Sequence, residues 1–279
     1  HLLMFYLSVE LATIPVAALA NFQMERRLSS EAAIKMILSS AFASGILLFG
    51  ISLFYGTTGS LSLTKLPQLL QANPLQLLAF VFLFTSFGFK MSVVPFHLWT
   101  ADVYEGAPVP VTAFLSVISK GAIAFVLVAV LYKIFPGFHQ AWYPMLLVTS
   151  VMTMLIGNLF ALRQQSLKRF LAFSSVAQVG FILLGISGQS ANSSSAVIYF
   201  ILIYLFSNLA AFGVVGLIAA NTGKETIASY KGLYKRNPYL SWVMALALFS
   251  LAGIPPTAGF FGKFYLVASG AGKGTYAFI

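Results

Sequence analysis

Eight long apolar runs with almost no charge divide this chain, near residues 2–21, 32–55, 75–98, 111–134, 142–162, 168–188, 195–219 and 239–268. About 20 apolar residues make one helical span of a bilayer, and each run is of that order. The runs are continuous rather than alternating, which suits helices and not a membrane barrel. Only 8% of the 279 residues are charged, against 59% hydrophobic, whereas a soluble domain carries about 25% charged residues. So few charges could not cover a water-facing surface, and disorder requires the opposite composition. The expected fold is an all-α polytopic membrane protein of about eight helices. Breaker residues sit between the runs, at 56–59, 73–74, 106–110, 136–137 and 192–195. No linker is long enough for a soluble domain.

The net charge of +10 has a topological explanation and requires no nucleic acid. Loops after runs one, three, five and seven hold nine basic residues: Arg26, Arg27, Arg163, Lys168, Arg169, Lys224, Lys231, Lys235 and Arg236. Loops after runs two, four and eight hold three, Lys65, Lys133 and Lys273. Cytoplasmic loops carry the basic excess, so the first set is expected inside and His1 at the outer face. The absence of Cys leaves no disulfide, thiolate nucleophile or cysteine-ligated cluster. Three His without HxxxH or HxH spacing give no expectation of a metal site. Residues 1–20 lack a basic n-region and hold Glu10 mid-run, unlike a signal peptide. The chain is expected to be a piece of a longer protein.

Two runs contain proline in mid-span: FGFKMSVVPFHLW, with Pro95, and LAGIPPTAGFFGKFYL, with Pro255 and Pro256. Proline removes a helix hydrogen bond and clashes with the preceding turn. In a bilayer, broken backbone persists only where protein or water satisfies it. Ordinary kinks are the alternative. The interval, however, is five runs, and an odd repeat inverts its second copy. Paired Gly/Pro-interrupted segments in inverted halves point to an ion site at the midplane. Residues 1–134 are then most of the first repeat and 142–279 most of the second, in one membrane domain, with one helix missing at each end.

Glu10, Lys90, Lys120 and Lys263 fall inside runs. Each charge costs about 2.5–3.5 kcal/mol at the bilayer centre on insertion scales, and such residues mark ion or proton routes. Snorkelling is the alternative for Lys263, and a structural Glu–Lys pair the alternative for Glu10. Desolvation disfavours a charged lysine and a neighbouring carboxylate favours it. Glu10 beside Lys90 is therefore the candidate switch, with Lys120 and Lys263 continuing a horizontal relay. His97, seven residues after Lys90, would share its face on a continuous helix; it reads as a proton carrier or as a structural histidine. Ser174, Ser175 and Gln178 are possible relay groups or helix glue, as are Ser207 and Asn208. Gly180, Gly185 and Gly213 suit close helix packing. Asp102 and Glu105, at the membrane edge, read as helix caps or loop anchors.

The run FGFKMSVVPFHLWTADVYEGAPVPVTAFLSVISK (87–120), with GNLFALRQQSLKRFLAFSSVAQVGFILLG (157–185) and residues 230–266, resembles the antiporter-like membrane subunits of respiratory complex I, the type I NADH:quinone oxidoreductase. The likeness is to the subunit N branch. GIPPTAGF is shared with the wider family; DVYEGAP before a mid-helix lysine is more specific. The resemblance implies that Glu10 matches the family's glutamate on helix five. It sets Lys90 on broken helix seven, Lys120 on helix eight and Lys263 on broken helix twelve. Phe173 and Phe181 depart from a frequent Tyr. The implied function is proton translocation driven by electron transfer in partner subunits, in a bacterial inner membrane. No cofactor is implied in this chain; NADH, flavin, iron–sulfur clusters and quinone would belong to partner subunits. The implied partners are other membrane subunits, the lipid bilayer and protons. The alternatives are a subunit of a multi-subunit cation/proton antiporter or membrane-bound hydrogenase, and a non-transporting scaffold. Lys90→Met removes the amine at similar length. It is expected to slow pumping by the assembled complex while disturbing assembly less than a proline in a helix core. An assembled variant pumping at the wild-type rate refutes the switch.

Overall fold

A computed structural model of the chain describes residues 1–188 and 191–271; Lys273 lies outside the described residues. The principal helices are α1 (Leu2–Ala20), α2 (Arg27–Thr58), α3 (Pro74–Met91), α4 (Leu98–Gly106), α5 (Val109–Ile134), α6 (His139–Ala161), α7 (Leu167–Ser187), α8 (Ala191–Thr222), α9 (Pro238–Ala252) and α10 (Ala258–Ala271). Among the described residues, seven helices are long and apolar enough to cross a membrane. The eighth run is split in two, as α9 and α10. The third ends in a break beyond which residues 98–106, all but the first outside the expected span, form α4 and extend it into a second split run. Among the described residues the only β pairing is an isolated bridge between Ser166 and Thr226.

The two split runs are built alike. Each opens on Asn-Pro: the Asn73 side chain accepts the Gln76 N–H at 2.8 Å and the Asn237 side chain accepts the Leu240 N–H at 3.1 Å. Pro then supplies the first helical residue, where its missing N–H costs nothing. Each first half ends in a left-handed residue, Ser92 (φ 64°) or Gly253 (φ 80°). In each, the following N–H reaches back five residues, Val93 to Gly88 O at 2.8 Å and Ile254 to Phe249 O at 3.0 Å. That is the Schellman closure of a helix C-terminus. Pro95 and Pro256 follow a cis peptide bond and lie in the gap before the next helix.

α2 packs on α1, α3 and α4, and α8 packs on α7, α9 and α10, so each split run lies along one unbroken 32-residue helix. α7 is the most enclosed, with 83% of its span buried against 17% for α1. Contact between α6 and α7 rests on glycine. A Cβ at Gly157 would lie 2.7 Å from the Ala177 nitrogen, and one at Gly180 would lie 2.8 Å from the Ser150 carbonyl oxygen. Gly185 is likewise closed off by Leu266. Gly213 differs from the sequence expectation: nothing lies within 4 Å of its would-be Cβ.

Two boundaries also differ. Residues 192–195 are not a linker but the first turn of α8, where local helix propensity of Ser and Asn is overridden by a long apolar continuation. α2 begins at Arg27, which draws Glu31 and Lys35 into the helix. Gly157→Val should destabilise the protein by about 1–3 kcal/mol through overpacking, while Gly213→Ala should be tolerated. Thermal unfolding of the purified variants checks the contrast, and equal midpoints would refute it.

Candidate functional site

The inward-facing polar groups form three clusters, beginning at the end of α3. Lys90 is the penultimate residue of α3, and its Nζ donates to Thr13 Oγ1 of α1 at 2.6 Å and to Ser40 Oγ of α2 at 2.8 Å. Glu10 accepts a hydrogen bond from Ser44. Ser40 and Ser44 are one turn apart on α2, as are Glu10 and Thr13 on α1, so with Lys90 the five groups close into a ring of neighbours. Glu10 and Lys90 make no ion pair within 4.0 Å; hydroxyls separate them. Glu10 nonetheless lies within electrostatic reach of Lys90, the coupling expected from the sequence. Freed carbonyls do not hold Lys90: the Phe89 carbonyl is taken by the Trp99 indole at 3.1 Å. A cavity of about 60 Å³, lined by Thr13, Ser40, Lys90, Trp99 and Ser119 among others, leads from Lys90 towards α5. It has room for a few waters.

Lys120 is the centre of the second cluster and is 1% exposed. It follows a stretch of π-helix, Leu115–Ser119, a local widening often found at functional positions. Its Nζ donates to Ser175 Oγ of α7 at 2.8 Å and stands 5.4 Å from the centre of the Tyr104 ring. One turn earlier, Ser116 Oγ accepts from Asn208 Nδ2 at 2.8 Å and its carbonyl accepts from the Tyr204 hydroxyl at 2.9 Å. Tyr104 Oη and Asn208 Oδ1 are buried without a hydrogen bond of normal geometry. Buried polar atoms of this kind are the usual hosts of internal water.

His97 is 5% exposed and lies within electrostatic reach of Lys120. Its ring leans on the Pro95 backbone, yet neither ring nitrogen makes a well-formed hydrogen bond. The shared-face argument with Lys90 fails, because the helix is interrupted between them and His97 caps α4.

The third cluster lies at the α9–α10 break. Lys263 Nζ donates to the Leu251 carbonyl at 2.7 Å and the Ala252 carbonyl at 3.2 Å, both freed by the helix end. Gln178 Nε2 donates to the same Leu251 carbonyl at 3.1 Å. The Phe181 ring centre lies 4.6 Å from Lys263 Nζ, a cation–π contact that requires no tyrosine hydroxyl. Ser207 and Ser250 join α8 to α9 at 2.7 Å. Since Ser175 and Gln178 are one turn apart on α7, Lys120 and Lys263 are linked by one face of that helix. Ser174 is only half-buried and belongs to none of the clusters.

Several charges play parts that the sequence reading missed. Lys168 is no loop residue: its side chain is 0% exposed, donates to the Ala107 carbonyl at 3.0 Å and lies 3.5 Å from Glu225 Oε2. Its spacing from Ser175, seven residues on one helix, was the available signal. Asp102 and Glu105 do not cap helices; both sit inside α4 and pair with Arg169, at 2.7 and 2.8 Å. Among the described residues no group of three or more His, Cys, Asp or Glu could hold a metal.

All 279 residues match the family described as NADH:quinone oxidoreductase/Mrp antiporter, TM. The chain belongs to this family. It is 50% identical over 280 residues to the NADH-quinone oxidoreductase subunit N of Phocaeicola vulgatus, covering 100% of this chain and 59% of that protein. A chain of respiratory complex I from Thermus thermophilus, solved with bound aureothin, superposes with a TM-score of 0.83 at 34% identity, over 100% of this chain and 60% of that one. A chain of the Mrp complex from Dietzia sp. DQ12-45-1b superposes with a TM-score of 0.91 at 28% identity, over 99% and 52%. The chain thus spans less than two thirds of the length of these relatives. Family membership and the apolar helices make it a multi-pass membrane protein.

Removing one charge-assisted hydrogen bond costs about 1.5–3 kcal/mol. Ser175→Ala, which takes the hydroxyl from Lys120, is therefore expected to destabilise the purified full-length protein by about 1.5–3 kcal/mol, while Ser174→Ala leaves its stability unchanged. Thermal unfolding measures both, and equal midpoints would refute the contrast.

Proposed function

We propose that this chain is the proton-translocating core of a membrane subunit of NADH:quinone oxidoreductase. Glu10, Lys90, Lys120 and Lys263 carry the proton, and His97, Ser175 and Gln178 are bridging groups. The observation that carries the reading is the line of contacts from Lys120 through Ser175 and Gln178 to the Leu251 carbonyl and Lys263. Three costly amines inside the spans, Lys120 buried and Lys90 and Lys263 half-buried, each hydrogen-bonded and set beside a helix break or a π-helix, suit groups that change protonation. Each proton moved against the membrane potential costs about 2.3 kcal/mol per 100 mV, so an external source must drive it. That source is electron transfer in partner subunits, which would hold the NADH, flavin, iron–sulfur and quinone sites. The protein would sit in a bacterial inner membrane among other membrane subunits, with His1 at the outer face. Residues 1–134 and 142–279 would form inverted repeats, supported by the matching construction of the two split helices.

A cation/proton antiporter subunit is the second reading, favoured by the closer superposition on the Mrp chain. Sequence argues for the first, at 50% identity to an oxidoreductase subunit against 28% to the Mrp chain. The test is Lys120→Met in the full-length protein, purified with its native partners and reconstituted. NADH-driven proton uptake is expected to fall at least 10-fold, roughly the effect of losing a positioned proton carrier, with the complex assembled. Cation-driven proton exchange without NADH oxidation would establish the antiporter reading. Wild-type pumping by Lys120→Met would leave the lysines a structural role only.

A further inference from the structure

Five charges meet where α2, α4 and α7 come together, and the proton route uses none of them. Asp102 is the hub. Its Oδ2 accepts from Lys35 Nζ of α2 at 2.6 Å and its Oδ1 accepts from Arg169 Nη1 of α7 at 2.7 Å. The same Arg169 nitrogen reaches Glu105 Oε2 at 2.8 Å, and Lys35 also pairs with Glu31 at 2.6 Å. These side chains are 27–48% exposed, and pairs so open to solvent add little to stability. What two short bonds from opposite sides fix is the direction of α4.

Each helix in the knot carries part of the proton route. α2 carries Ser40 and Ser44, which hold Lys90 and Glu10. α4 starts at His97 and carries Tyr104, beneath the Lys120 ammonium. α7 carries Ser175, the Lys120 partner. The register of the two breaks gives a second, independent argument. Ser92 and Gly253 close equivalent helix ends, and Asp102 and Lys263 are each the tenth residue beyond. Asp102 and Lys263 thus lie at equal distances beyond the two breaks, Asp102 as the fifth residue of α4 and Lys263 as the sixth of α10.

We propose that Asp102 is a positioning residue that couples the Glu10–Lys90 group to the Lys120 group by fixing α4 between α2 and α7. The proposal rests on the proton-translocation reading. In the assembled full-length complex, Asp102→Asn keeps the shape and removes the charge, whereas Asp102→Glu keeps the charge. Asp102→Asn is expected to raise amide hydrogen exchange across residues 98–106 and to slow proton pumping by about 3- to 10-fold. Asp102→Glu should restore most of both. Arg169→Gln, which cuts the α7 side alone, should reproduce the loss and carries the test if Asp102→Asn does not assemble. Unchanged exchange in Asp102→Asn or Arg169→Gln overturns the proposal, as does raised exchange with wild-type pumping. Lys120→Met in the same assay keeps the two readings apart. If that variant pumps normally the proton reading fails, and the amide exchange still decides whether Asp102 holds α4.

Discussion

An unpaired polar group inside an apolar bundle is the constraint on which the rest of this structure depends. A buried unsatisfied donor or acceptor costs about 1–3 kcal/mol, and a lysine costs about as much again to insert. The α9–α10 break sets these two penalties against each other. Its end exposes the Leu251 and Ala252 carbonyls, and Lys263 supplies donors to both. Neither the break nor the lysine would be tolerable alone. At α3 the balance differs: the Phe89 carbonyl accepts from both the Ser92 N–H and the Trp99 indole, and Lys90 is held by hydroxyls on α1 and α2.

These demands explain why α7 is the most enclosed helix. Its interior face presents Lys168, Ser175 and Gln178 to three different neighbours: the corner after α4, the π-helical stretch of α5 and the end of α9. Glycines 157 and 180 let α6 approach closely on another side. A helix surrounded in this way has little freedom to shift alone, so a displacement at one cluster must be shared with the next.

The fold was largely legible because its signals are local. Apolar run length marked the spans, and mid-run proline marked where the split helices break. The four ionisable residues inside runs stood out because charge is rare there. What escaped the sequence were relations across helices. Nothing in the order of residues says that Ser40 and Ser44 stand between Lys90 and Glu10, or that Arg169 faces Asp102 rather than water. Lys168 was misread because a lysine next to a span end resembles a topology signal, and its burial depends on Glu225, a residue 57 positions away. His97 shows the same limit in reverse: a helical-face argument fails as soon as the helix is broken.

The two split helices share a backbone plan but use their lysines differently. Lys90 precedes its break and is held by hydroxyls; Lys263 follows its break and is held by carbonyls. A carbonyl only accepts, while a hydroxyl both donates and accepts, and its proton rotates. A neutral Lys263 still has two N–H donors, enough for both its carbonyls, so its charge can change with its contacts intact. A neutral Lys90 likewise keeps two N–H donors for Thr13 and Ser40. Its lone pair, unlike that of Lys263, has hydroxyls beside it that can turn to donate, Thr13 by giving up its bond to the Val9 carbonyl. Thr13 already lies one turn from Glu10, and Ser40 one turn from the serine that Glu10 accepts from. A change of charge at Lys90 therefore alters hydrogen-bond directions beside the carboxylate, whereas a change at Lys263 does not alter its own acceptors. Of the two breaks, the one at Lys90 is built to register protonation as a rearrangement, and the one at Lys263 is built to hold still.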